Sequence, residues 1–152
     1  FYMPTNKKKK RSKKRQQKLK EQVKEENLTY EQMLKIIEES DARKESLNYL
    51  SLWKHNKDEW KFCKTRERWL IRHMYSLEKV PTPYFKIMAK YLQGMFKNNF
   101  RKLIVNTAKS MASDDSKIKL DPIHDKLDEE SRQQMIQLKK KRALKVLEKM
   151  DE

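Results

Sequence analysis

The chain has very few residues of the kinds that break helices or staple loops. Its 152 residues include one glycine, Gly94, one cysteine, Cys63, and four prolines. A single cysteine excludes an intramolecular disulfide and fits a reducing compartment such as the cytosol or nucleus. A single glycine leaves no room for a glycine-rich phosphate loop. No apolar run approaches the ~20 residues needed to span a bilayer. The opening residues turn basic at once, so no secretory leader is expected.

What is present is charge. Charged residues make up 39% of the chain and hydrophobic ones 36%, against a usual apolar share of about 45–50%. The core must therefore be small. Lys, Glu, Leu, Met and Gln are abundant, and straight-chain residues lose little rotamer freedom in a helix, whereas sheets favour β-branched ones. The expected fold class is all-α: a small helical bundle with a basic N-terminal arm and a long C-terminal helix. The formal net charge of +16 predicts adhesion to nucleic acid or acidic surfaces at low salt.

Five segments follow from the patterning. Residues 1–27 form the arm, with Lys7, Lys8, Lys9, Lys10, Arg11, Lys13, Lys14, Arg15 and Lys18 as candidate phosphate contacts. Like charges this dense repel one another and bury nothing, so the arm is expected to be disordered or only nascently helical until it meets phosphate. In 28–40, Thr29-Tyr30-Glu31-Gln32 is a capping box with Leu28 and Met33 as its staple, followed by a stripe of Tyr30, Met33, Leu34 and Ile37.

Residues 41–112 are expected to be the main helical domain. Its densest stretch is Trp60-Lys61-Phe62-Cys63-Lys64-Thr65-Arg66-Glu67-Arg68-Trp69-Leu70. Large aromatics bury much apolar surface, so Trp53, Trp60, Phe62, Trp69, Leu70, Phe85, Leu92, Phe100 and Ile104 are the expected core. Lys61, Lys64, Arg68 and Arg72 then form a cationic ridge, with successive members of Lys64, Arg68 and Arg72 one helical turn apart. The motif's rings are expected to be mainly structural rather than a base-stacking platform, so Trp69→Ala should unfold the domain before it weakens binding. Thr82 and Pro83 start a helix as cap and first residue, and Gly94 is placed for a left-handed cap. Phe100, Leu103, Ile104, Thr107, Ala108 and Met111 mark the inner face of the next helix. A linker, 113–130, leads to a terminal helix at 131–152, where Ala143, Val146, Leu147 and Met150 can dock on the bundle. Lys139, Lys140, Lys141 and Arg142 cannot all share one helix face, and they are taken as a second phosphate-binding block.

Catalysis has little support. His55, His73 and His124 are scattered and, with one cysteine, match no common zinc spacing, so neither metal nor cofactor is expected. His73 and Cys63 are better explained as packed core residues. A basic leucine zipper would need several heptads, and a membrane-binding arm would need large apolar residues opposite its lysines, where 7–20 offers only Leu19. A structured RNA, with phosphates facing several directions, suits separate basic blocks best.

Trp60-Lys61-Phe62, Lys64-x-Arg66-x-x-Trp69-Leu70, His73-Met74-Tyr75, Lys79-Val80-Pro81, Phe85 and Tyr91-Leu92-x-Gly94 resemble the signature of the WKF-domain family. The resemblance runs from about Leu47 to Met111; the terminal helix is longer and more basic than that pattern. It implies a non-enzymatic nucleolar protein of the early large-subunit (60S) pre-ribosome. Such a protein is a ribosome biogenesis factor that clamps pre-rRNA, with ribosomal proteins and other assembly factors as neighbours. The alternative is a nuclear protein-interaction adaptor whose lysines serve import and solubility. Membrane and small-molecule partners are not expected.

Overall fold

The computed structural model describes residues 12–18 and 27–150. The candidate contacts Lys7 to Arg11 lie outside the described residues. Among the described residues every regular element is helical: α1 (residues 12–18), α2 (Tyr30–Glu39), α3 (Asp41–His55), α4 (Lys64–His73), α5 (Thr82–Gln93), α6 (Asn99–Ser113) and α7 (Glu129–Met150). Two short 3-10 turns, Asp115–Lys117 and Pro122–Lys126, lie between α6 and α7. The expected all-α architecture and long C-terminal helix are both present.

Local chemistry sets most of the boundaries. Thr29 caps α2 with the expected capping box, its hydroxyl accepting from Gln32 N–H while the Gln32 side chain accepts from Thr29 N–H. Ser40 ends α2 and caps α3, accepting from Arg43 N–H. Asn98 caps α6 through Arg101 N–H at 2.9 Å. Two starts differ from expectation by one to three residues. Pro81 is the cap residue of α5, which places Thr82 and Pro83 inside the first turn. Asp128, rather than Ser131, heads α7, and its carboxylate accepts from Ser131 N–H at 2.7 Å. A carboxylate there also complements the helix dipole.

Gly94 corrects the sequence expectation. Its φ of −87° is ordinary for any L-residue, so no left-handed cap exists there. A Cβ built on it would meet only the Tyr91 carbonyl oxygen, at 3.8 Å. The glycine is therefore not required by backbone geometry.

One core cluster joins all the helices from α3 to α7. Leu47 and Leu50 of α3, Leu70 of α4, Met88 and Leu92 of α5, Ile104 and Ala108 of α6, and Ala143 and Val146 of α7 pack together. The terminal helix lies along α5 and α6, and α2 packs on α3 and on the second 3-10 turn. Residues 113–130 contribute buried Ile118 and Ile123, so the expected linker is part of the packed body. The α6 register departs from expectation. Its buried stripe is Arg101, Ile104, Ala108 and Met111, while Leu103 stands 61% exposed and Thr107 is also exposed. An arginine takes the phase that an apolar count would give to a neighbour.

Candidate nucleic-acid interface

The basic residues divide into two sets with different surroundings. The inner set satisfies the ends of helices. Arg142 is 4% exposed, and its Nη1 donates to the carbonyls of Met74, Ser76 and Val80 at 2.8, 3.3 and 2.8 Å. Its guanidinium carbon also sits 4.7 Å from the centre of the Phe85 ring. These carbonyls follow the C-terminus of α4, where a cation is favourable to the dipole and to otherwise orphaned acceptors. Burial pulls the Arg142 pKa down to about 10, so it remains charged at neutral pH. Arg101 does the same at the end of α5. It donates to the carbonyls of Leu92, Gln93 and Met95, and through Nη2 to Met150 at the end of α7. Lys139, also 4% exposed, donates to the Lys119 carbonyl at 2.8 Å and to Asp121 Oδ1 at 3.3 Å.

These placements correct the sequence-based site. Lys139 and Arg142 were expected on phosphate and lie inside the fold, because they share the helical phase of Ala143, Val146 and Met150. Lys140 is half-buried and paired with Asp115 at 3.0 Å. Of that block only Lys141 stands fully exposed, beside Lys86 and Lys145 on a concavity of about 500 Å³ between α5 and α7. The signal was available: residues four positions before core positions on one helix lie on the core side.

The outer set surrounds the Trp60-Lys61-Phe62 turn. Asn56 and Lys57 carbonyls accept from Trp60 N–H, closing the loop after α3 and delivering the motif to the start of α4. Trp60 packs on Tyr49 with ring centres 5.5 Å apart, and Trp53 meets Tyr91 edge-on at 5.3 Å. The Tyr91 hydroxyl donates to Glu67 Oε1 at 2.8 Å, which leaves Tyr49 to donate to Tyr91 at 2.7 Å. Burial and the Glu67 carboxylate push the Tyr91 pKa well up, so the chain of hydroxyls stays protonated. Trp53, Trp60, Trp69 and Phe100 are partly buried against the core, while Leu70, Phe85, Leu92 and Ile104 lie within it. Phe62 departs from the expected core list: its ring is 61% exposed.

Lys61, Lys64 and Arg72 are exposed as expected. Arg68 is half-buried, its guanidinium carbon 3.5 Å from the centre of the Phe100 ring, so the ridge bends inward at that point. Arg66 pairs with Glu45 at 3.2 Å. His73 packs against Trp69 with ring centres 4.6 Å apart and planes tilted by 54°, and burial, Lys79 and Arg72 lower its pKa to about 4. It is neutral at pH 7. In α1, Lys13, Lys14, Arg15 and Lys18 are exposed.

A further cationic surface escaped the sequence reading. From Lys79 to Ser113 the chain has no Asp or Glu, against Lys79, Lys86, Lys90, Lys97, Arg101, Lys102 and Lys109. Arg101 is used internally; Lys86, Lys90, Lys97, Lys102 and Lys109 are exposed. Lys97, Lys102 and Lys109 line a groove of about 320 Å³ along α6, with Asn98 and Asn106. Across α6, Arg72, Lys117 and Lys119 line another of about 340 Å³. Lys54 lies close enough to Lys90 to lower the Lys90 pKa. A long run without acidic residues was the signal that would have found this surface.

Residues 48–111 match the WKF domain family. This span holds the aromatic turn, α4, α5 and most of α6, and it coincides with the resemblance drawn from the motifs. The WKF segment is 38% identical over 66 residues to mouse cholesin, covering 43% of this chain and 33% of that protein. It is equally 38% identical over 66 residues to the human protein cholesin, of which it covers 34%. The chain thus spans about a third of the length of these curated relatives. No solved structure matches it.

Glu78, Asp121 and His124 bring possible ligand atoms within 4.8 Å of one another. Their hydrogen bonds assign them a structural role. His124 Nδ1 accepts from Asp121 N–H, which places the proton on Nε2 for donation to Glu78 at 2.9 Å. Burial alone would raise the Glu78 pKa, but this bond and the one from Tyr30 hold it below the usual carboxylate range. Lys139 adds an ammonium at Asp121, which opposes a metal cation. Together these groups tie α2, α7 and the second 3-10 turn to the bend after α4. Among the described residues no helix is long and apolar enough to cross a membrane.

Proposed function

We propose that this protein is a ribosome biogenesis factor that binds pre-rRNA of the large subunit in the nucleolus, as a structural clamp and without turnover. The observation that carries the reading is the sorting of its basic residues. The fold's own need for cations is met by Arg101, Arg142 and Lys139 inside, yet the run from Lys79 to Ser113, without one Asp or Glu, keeps an exposed cationic surface outside. An exposed surface of one sign attracts polyanions and destabilises the free protein slightly by self-repulsion, a cost that phosphate removes. Lys61, Lys64 and Arg72 face one part of such an RNA. The groove lysines of α6 and the lysines of α1 extend the contact, in keeping with RNA phosphates that face several directions. Ribosomal proteins and other assembly factors of the same particle are the expected neighbours.

The reading is tested in cells by ultraviolet crosslinking, nuclease digestion and mass spectrometry of the protein. Nucleotide adducts on peptides spanning Lys61 to Arg72 and Lys97 to Lys109, with pre-rRNA sequences recovered, are expected. Peptides free of nucleotide, with a protein partner retained after nuclease, would instead establish the nuclear adaptor.

A further inference from the structure

Beside the cationic ridge lies a cavity that phosphate binding does not use. It has a volume of about 390 Å³, within the ~300–1,000 Å³ range of small-ligand sites. Aromatic rings form half of its lining: Trp53, Trp60, Tyr91 and Phe100, with the more exposed Phe62 and Phe96. Single exposed apolar side chains are ordinary, whereas exposed apolar side chains that cluster mark interaction sites, and two of those most exposed here line this one cavity. Phe62 is 61% exposed and Phe96 is 88% exposed. Lys64, Arg68, Met95 and Asn98 add to the wall together with Glu67, whose carboxylate accepts the Tyr91 hydroxyl at 2.8 Å, and the buried Nε–H of Arg68 and Nε1–H of Trp60 have no protein acceptor. Cys63 provides no side-chain cap to the first turn of α4, which opens at this edge.

Gly94 is the second observation. It lines the cavity, at a φ that any residue can adopt, and a Cβ there would make only an ordinary 3.8 Å contact with the Tyr91 carbonyl oxygen. The one glycine in the chain therefore serves no backbone purpose, and its missing side chain leaves the cavity unfilled.

We propose that this cavity receives one unpaired RNA base, stacked against Phe62 and Phe96, with the adjoining phosphates on Lys61 and Lys64. The inference rests on the RNA-binding reading and gives it a selectivity: a single-stranded or bulged nucleotide next to the clamped element. Aromatic faces accept any base, and cations at the rim suit the backbone that joins it to its neighbours. Glu67 is engaged by the Tyr91 hydroxyl. An apolar peptide side chain would satisfy the rings but leave the Arg68 Nε–H and Trp60 Nε1–H without acceptors, which the ring nitrogens and carbonyls of a base supply, so the donors favour the nucleotide. The groove lined by Lys97 and Lys102 shares Asn98 with this cavity, which gives the strand a continuous phosphate path.

The test uses the full chain with a labelled 12-nucleotide single strand and with the duplex that it forms with its complement. Tryptophan fluorescence and anisotropy are read at low salt. The single strand should quench Trp53 and Trp60, and Phe62→Ala should weaken its binding about tenfold while leaving duplex binding unchanged. Gly94→Leu, which fills the cavity from a permissive backbone site, should act in the same direction. Circular dichroism should show both variants folded, since neither position lies in the core. If both variants bind the single strand within twofold of the parent, the pocket inference fails and the RNA reading stands. If the parent binds neither strand form, the RNA reading fails and takes the pocket with it. Quenching by an amphipathic Leu- and Phe-rich peptide but not by the strand would make the cavity a protein-docking groove and overturn the proposal.

Discussion

The stretch Lys61 to Arg72 and the stretch Lys139 to Arg142 are both rich in Lys and Arg, and the fold uses them in opposite ways. In the first, Lys61 before α4 and Lys64 and Arg72 on it stand in solvent while Leu70 of α4 is fully buried. In the second, Lys139 and Arg142 are buried on backbone carbonyls and Asp121, and only Lys141 reaches solvent freely. Composition does not separate the two. Helical phase does, because each basic side chain points where its position on the helix sends it. A buried cation is then tolerated only where helix ends or carboxylates meet it.

The comparison breaks most sharply at Arg142. Arg142→Ala would leave the carbonyls of Met74, Ser76 and Val80 without their donor and open space beside Phe85. A loss of about 3–5 kcal/mol is expected in urea unfolding, whereas Lys141→Ala should stay within about 0.5 kcal/mol. Next in size is the same contrast on α6. Ile104→Ala should cost about 2–5 kcal/mol, and Leu103→Ala, one residue away on the exposed side, should change stability by less than about 0.5 kcal/mol.

The outer set should show the reverse behaviour. Reversing charge at Lys61, Lys64 and Arg72 together should lower affinity for a structured rRNA fragment at least tenfold, about 1.4 kcal/mol. The unfolding midpoint in urea should not move with it. Equal losses of binding and stability would erase the distinction between the two sets.

The smallest expected effect reports on the field between them. The His73 pKa is depressed in the folded protein, to about 4 against about 6.5 when unfolded. The unfolded chain therefore binds more protons between those values, so this stabilising contribution is complete above about pH 6.5 and is lost as pH falls through about 4. Because Arg72 and Lys79 add to the depression, Arg72→Glu should raise the His73 pKa in an NMR titration while burial keeps it below the free value. An unchanged His73 titration in Arg72→Glu would mean that burial alone sets it.

Much of the fold was legible because short-range chemistry controls it. The Thr29 capping box and the Ala143, Val146 and Met150 stripe each appear where the residues placed them. The misplaced parts share one physical origin. Counting apolar residues alone put Leu103 and Phe62 inside and sent Lys139 and Arg142 out, because it gives no weight to a cation satisfied by carbonyls at a helix terminus. Arg101 was missed for the same reason. Gly94 was assigned a backbone role because glycine usually has one, and its actual φ of −87° removes that role. The His124 and Glu78 pair joins residues distant in sequence, which spacing could not bring together.

The central claim is that exposed cations of the WKF region hold RNA phosphates while the buried ones hold the protein together. Its most direct test is fluorescence anisotropy of a labelled rRNA fragment titrated with parent and with Lys61→Glu/Lys64→Glu/Arg72→Glu, from 50 to 200 mM salt. With roughly 6–10 phosphate contacts, the parent should lose about 10³–10⁵ in affinity over that range, and the variant should bind more weakly with a slope shallower by two or more. An affinity flat in salt, or a variant with the parent's slope and strength, would contradict the account.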